Sequence, residues 1–149
     1  MGNQHHQFLL TPSAWLGQGK IQLNMVSEEL AFFTRWNSQN PDGEGRIECL
    51  QEIQVKGLSD VMHNEFLIYN LASGEFAIDL ENQALGRVTG VGLINEKVIA
   101  WEFRIIDIGF EGFELYEKQD ENNYLMRAEY ATNDQFRTLI QGRVWKQTS

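Results

Sequence analysis

Ala84 to Gln119, ALGRVTGVGLINEKVIAWEFRIIDIGFEGFELYEKQ, reads as three successive β-strands. In the middle segment Ile99, Trp101, Phe103 and Ile105 alternate with Ala100, Glu102 and Arg104, so a pleated strand places large apolar groups on one face and charges on the other. Ile94-Asn95-Glu96-Lys97 before it and Asp107-Ile108-Gly109 after it are of hairpin length, which makes sequence neighbours into sheet neighbours. The pattern predicts a meander that curls and closes. In the first of the three segments Gly86, Gly90 and Gly92 share one face and would supply a bend. Its facing stays open, because Val88 and Ile94 compete with Leu85, Val91 and Leu93 for the interior.

Period two continues on both sides of this stretch. Upstream, Trp15, Gly17, Gly19, Ile21 and Leu23 alternate with Gln18, Lys20 and Gln22, and Leu30, Phe32, Thr34 and Trp36 alternate with Ala31, Phe33 and Arg35. The run Asn37 to Gly45, NSQNPDGEG, is dense in turn residues and reads as a surface loop. Arg46 to Gly57 alternates again, with Gln51 a polar interruption in the apolar set Ile47, Cys49, Ile53, Val55. Leu58 to Asn64 reads as a loop, Glu65–Ala72 as a strand, and Phe76, Ile78 and Leu80 as the inner face of another. Downstream, Tyr124–Ala131 and Phe136–Lys146 form a last pair joined by Thr132-Asn133-Asp134. No amphipathic helix of three or more turns is present in the pattern.

These segments add up to roughly ten short strands at the regular spacing of a sandwich or barrel. The linkers decide between the two. Nearly all are of hairpin length, whereas a sandwich needs longer crossovers between its sheets, so the expectation is all-β, an antiparallel up-and-down β-barrel that closes and leaves no free edge. Residues 14–149 are expected to make this single domain. Residues 1–13 hold the apolar Phe8-Leu9-Leu10 and suit a short helical turn that plugs one barrel end.

Composition narrows function by exclusion. Twelve basic against twenty-one acidic residues give a net charge of −9, a field that opposes nucleic acid and anionic membrane surfaces. One cysteine, Cys49, excludes an internal disulfide and favours a reducing, cytoplasmic setting. No apolar run approaches the ~20 residues of a spanning helix, so stable membrane insertion is not expected, and the N-terminus lacks a secretory signal pattern. A homodimer stays open.

Catalytic chemistry has little to rest on. His5, His6 and His63 are the only imidazoles, all in expected terminal or loop segments, and no carboxylate or thiol spacing completes a metal site around them. Cys49 lies mid-strand among apolar neighbours, the setting of an inert thiol. The glycines lack phosphate-loop spacing. No catalytic residue, metal or cofactor is therefore assigned. Aromatic residues carry the stronger signal: Trp36, Phe66, Phe76, Trp101, Phe103, Phe113 and Tyr130 fall at expected inward positions, with Gln51 as a polar group among them. Each contributes roughly 1.5–3 kcal/mol as plain core, but a barrel of this strand number has room for a ligand as well, and these eight are the expected ligand-binding set. Arg143 has two placements. Facing out, it packs across Trp15 as a cation–π cap at a barrel end, the expected arrangement; facing in, it needs Glu129 or a ligand carboxylate.

The opening Trp15-Leu16-Gly17-Gln18-Gly19 strand, the all-hairpin meander and the closing Ile140-Gln141-Gly142-Arg143-Val144-Trp145-Lys146 strand together resemble the calycin group of lipocalins, fatty-acid-binding proteins and nitrobindin-like barrels. The resemblance implies a lumen that holds a small apolar or amphipathic molecule, and a first-strand Trp against a last-strand Arg. It stops short of two family features: the closing Arg143-Val144-Trp145 lacks the phenol of the carboxylate-gripping Arg-x-Tyr, and no His follows His63 to ligate haem. The leading expectation is non-enzymatic binding of a small hydrophobic or amphipathic ligand. The alternatives are a filled barrel used for protein–protein contact and, with less support, a lyase or isomerase acting on a bound pigment or lipid.

Overall fold

A computed structural model describes residues 6–133 and 136–148; His5 and Asp134 lie outside the described residues. Ten strands follow in order: β1 (Ser13–Leu23), β2 (Glu29–Ser38), β3 (Ile47–Val55), β4 (Val61–Ala72), β5 (Glu75–Asn82), β6 (Gly86–Ile94), β7 (Val98–Ile105), β8 (Phe110–Asp120), β9 (Asn123–Ala131) and β10 (Arg137–Lys146). Each pairs antiparallel with its sequence neighbours, and β1 pairs with β10, so the meander closes into a barrel. The closing seam runs from Trp15 opposite Lys146 to Leu23 opposite Thr138. The all-β up-and-down barrel expected from the alternation and the short linkers is the observed architecture. A 3-10 turn, Ile106–Ile108, bridges β7 and β8, and no helix among the described residues is long and apolar enough to cross a membrane.

Two local expectations change. The predicted loop Leu58–Asn64 is mostly strand, because Met62 and Asn64 continue the inward face of β4 opposite Ile53 and Gln51. His63 is thus an exposed strand residue, 3.9 Å from Glu52. The open question of β6 is settled by ring packing. Val88, Gly90 and Gly92 face inward while Val91 and Leu93 are exposed. A Cβ on Gly92 would lie 2.1 Å from the Phe76 ring, and one on Gly90 would lie 2.7 Å from that of Phe103, so the glycines give neighbouring strands space for aromatics.

Successive turns of a meander alternate between the barrel's two ends. Residues 39–46, 73–74, 95–97 and 121–122 lie at the end where β1 begins; residues 24–28, 56–60, 83–85 and 106–109 lie at the other. The chain ahead of β1 is packed into the first end. Gln7 to Thr11 is one turn, closed by Thr11 N–H to the Gln7 carbonyl at 3.3 Å, with Leu9 in the left-handed region at φ 67°. Phe8 is fully buried, its ring 4.8 Å from Tyr116 and between 5.2 and 5.6 Å from Trp15, Trp36 and Tyr124. His6 Nε2 lies 2.5 Å from the Asn95 carbonyl, which can only accept, so Nε2 donates there, and Nδ1 is hydrogen-bonded with the Tyr124 hydroxyl at 2.6 Å. Lys146 Nζ donates to Gln7 Oε1 at 2.7 Å. Sequence patterning missed His6 and Tyr124, whose partners are about ninety or more residues away in the chain.

Candidate functional site

The interior is layered. Next to the packed end lies an aromatic floor. Trp36 from β2 sits 5.2 Å from Phe66 of β4 and 6.3 Å from Trp101 of β7, and Trp101 stacks on Tyr116 of β8 at 5.3 Å. Each sits on the inward parity of its strand. Trp36 and Trp101 bury their indole N–H groups without a hydrogen-bond partner among the described residues, whereas Trp15 Nε1 donates to Ser13 Oγ at 3.0 Å.

Beyond the floor runs a ladder of amides across four strands. Gln51, opposite Trp36 in the β2–β3 register, donates through Nε2 to Thr34 Oγ1 at 3.1 Å, while Thr34 donates to the Glu52 carbonyl at 2.9 Å. Asn64 Nδ2 donates to Gln51 Oε1 at 2.9 Å, and Asn82 Nδ2 to Asn64 Oδ1 at 3.0 Å. The Leu85 N–H closes the chain on Asn82 Oδ1 at 2.7 Å. Buried amides are costly unless bonded to one another, and here each bond fixes the next, so the polar groups are preorganised. Gln51, Asn64 and Asn82 border a cavity of 1340 Å³ that wraps the rim of β3, β4 and β5 and is also lined by the outward Glu52, His63 and Glu65.

A third cluster stands on β8 and β9. Glu114 is buried, and its carboxyl accepts hydrogen bonds from Tyr116 at 2.8 Å and from Tyr130. Burial raises the Glu114 pKa above the ordinary carboxylate value, partly opposed by the hydrogen bonds of Tyr130 and Tyr116. The Trp101 indole also favours the carboxylate, though without the geometry of a hydrogen bond. Burial, then the neighbouring carboxylate, pushes both phenols well above their usual value. The carboxyl is thus a buried acid whose charged form is disfavoured by desolvation and favoured by its two phenol donors.

Of the expected ligand-binding set, Trp36, Gln51, Phe66 and Trp101 come together. Phe76 and Phe103 are buried inward against the β6 glycines, away from this group. Tyr130 faces in, stacked at 6.0 Å on Phe110. Phe113 is a correction: it faces out, 39% exposed. The parity of β8 is set by Tyr116 and by Gly112, over which the Tyr130 ring lies so closely that a Cβ would meet it at 2.2 Å; Phe113 has the other parity. The cap of Trp15 by Arg143 is a second correction. Arg143 does face out, but its guanidinium lies 5.1 Å from the Trp145 ring, while Trp15 is fully buried on the inner side of β1. Arg143 and Trp145 are two residues apart on β10, so they share its outer face and reach each other.

Glu114 was missed because a polar residue in a strand defaults to the solvent face, and Asn64 and Asn82 because their segments read as a loop and a turn. Their shared parity with Tyr116, Phe66 and Leu80 was the available signal. Cys49 behaves as expected of a core thiol: burial pushes its pKa up to about 11, and its Sγ lies 3.7 Å from the Leu9 carbonyl. Among the described residues no three His, Cys, Asp or Glu side chains are grouped to hold a metal ion.

No family model matches the sequence, and no protein with a curated description is significantly similar to it. Among solved structures the chain is similar to the S-type phycobiliprotein lyase CPES from Guillardia theta, with a TM-score of 0.72 and 9% identity, covering 100% of this chain and 94% of that one. At that identity the likeness is one of fold alone.

Proposed function

We propose that the barrel binds one small amphipathic molecule, with an apolar, ring-containing body against Trp36, Phe66 and Trp101 and a polar edge on the amide ladder. The observation that carries this reading is the row of hydrogen-bonded inward amides Gln51, Asn64 and Asn82, which starts opposite Trp36 and ends at the barrel end where an open groove reaches it. A ligand carbonyl would also satisfy the unpartnered indole N–H groups of Trp36 and Trp101. The fold neighbour's name as a phycobiliprotein lyase makes a linear tetrapyrrole a reasonable probe.

Titration with biliverdin, cis-parinaric acid and anilinonaphthalene sulfonate, read by tryptophan quenching, tests the reading. At least one probe saturates at a single site, and Gln51→Leu weakens it about tenfold, the worth of one or two hydrogen bonds. Three linear, unsaturable titrations would remove the site.

Glu114 favours a second reading, in which the bound molecule is also transformed by proton transfer. What supports it is a buried carboxyl of raised pKa bonded to two phenols. Its signature is a slow absorbance change of the bound probe that Glu114→Gln abolishes while leaving binding intact. A bound probe with a constant spectrum in the unaltered protein returns the account to simple binding.

A further inference from the structure

The two barrel ends differ in what their loops expose. At the end where β1 begins, residues 39–46, 73–74, 95–97 and 121–122 contain no exposed large apolar side chain. At the opposite end Met25 and Val26, Leu58, and Ile106 and Ile108 stand on three separate loops, and Phe136 precedes β10; all are exposed, Ile106 at 91%, Met25 at 70% and Leu58 at 60%. Local turn chemistry needs none of them there, and polar residues would serve each turn as well. A ring of apolar tips confined to one mouth of a barrel, the same mouth at which the Gln51–Asn64–Asn82 cavity lies, is an interaction surface.

We infer that this rim docks on a zwitterionic phospholipid surface. The tips come from three loops and the segment before β10 around an opening, and a fluid interface accommodates such separate protrusions without matching their shape. The charges in the same loops select the surface. Glu28, Asp60 and Asp107 stand against Lys56 alone among the described residues of those loops, which repels anionic lipid and complements the outward trimethylammonium of phosphatidylcholine. The whole chain's −9 acts in the same direction. With the mouth on the membrane, an apolar molecule would exchange between bilayer and lumen without crossing water. The docking itself does not depend on any ligand, so it stands or falls separately from the binding reading.

Co-sedimentation of the ligand-free protein with palmitoyl-oleoyl phosphatidylcholine vesicles tests it. The protein pellets with these vesicles, and replacing a third of the lipid by phosphatidylserine lowers the bound fraction. Combined Met25→Ser, Leu58→Ser and Ile106→Ser weakens binding about tenfold or more, with the thermal midpoint unchanged because all three side chains are exposed. Failure to pellet, stronger binding to phosphatidylserine, or full binding by the triple variant would each overturn the proposal. So would a dimer in light scattering that the triple variant dissolves, since the tips would then belong to a second copy of the chain.

Discussion

Glu114 decides most at the scale of single residues. Its pKa is raised in the folded protein, chiefly by burial. Below the ordinary carboxylate range both folded and unfolded chains carry the proton. As pH rises from that value toward the raised folded one, the unfolded chain releases its proton first, so this group makes stability decline across the window and then level off. Glu114→Gln, which keeps the shape and cannot ionise, should remove that decline. Urea unfolding of both forms from mildly acid to neutral pH measures it, and parallel pH profiles would show that the carboxyl's burial is not felt. The residue also marks a limit of sequence reading. Phe113 and Glu114 are adjacent, and hydrophobicity alone turns the phenylalanine inward. What reverses them is that Gly112 accommodates the Tyr130 ring and Tyr116 meets Trp101, two contacts between distant parts of the chain.

The elements were easier to read, because alternation and hairpin-length linkers are local. The exception, the start of β4, was hidden because Met62 and Asn64 supply its inward face with one flexible and one polar residue. Closure depends on the pairing of β1 with β10, where Gly19 lies opposite Gly142. A Cβ on Gly142 would stand 2.4 Å from the Gln18 carbonyl oxygen and 3.0 Å from the Gly19 Cα, backbone atoms that cannot rotate away. Gly142→Val should therefore loosen the seam, and hydrogen exchange at Lys20 and Gln141 should quicken about a hundredfold relative to β7, the equivalent of a local cost of a few kcal/mol. Uniform exchange across the barrel would contradict this. The segment ahead of β1 is equally testable. Phe8 touches four aromatic rings, so Phe8→Ala should cost about 3–5 kcal/mol, read as a lower urea midpoint with a similar slope. An unchanged midpoint would mean that the segment adds nothing to stability.

For the whole molecule, fold and ligand are recorded in the sequence differently. The barrel follows from a period that runs through the entire chain, and it is shared with the phycobiliprotein lyase CPES at only 9% identity. A site needs only a few residues. Gln51 stood out as a polar break in an apolar face, but its partner Asn64, and Asn82 bonded to Asn64 in turn, come from two other strands, and nothing short of the strand register brings them together. The most direct test of the ligand reading uses the four tryptophans, Trp15, Trp36, Trp101 and Trp145, whose indole N–H groups give separate signals in a proton–nitrogen correlation spectrum. On addition of a saturating probe such as biliverdin, the Trp36 and Trp101 indole signals should move downfield as their donors gain an acceptor. Trp15, already bonded to Ser13, and Trp145, beneath Arg143 on the outer surface, should stay in place. Movement of Trp145 alone, or of none of the four while the probe is bound, would contradict a ligand inside the barrel.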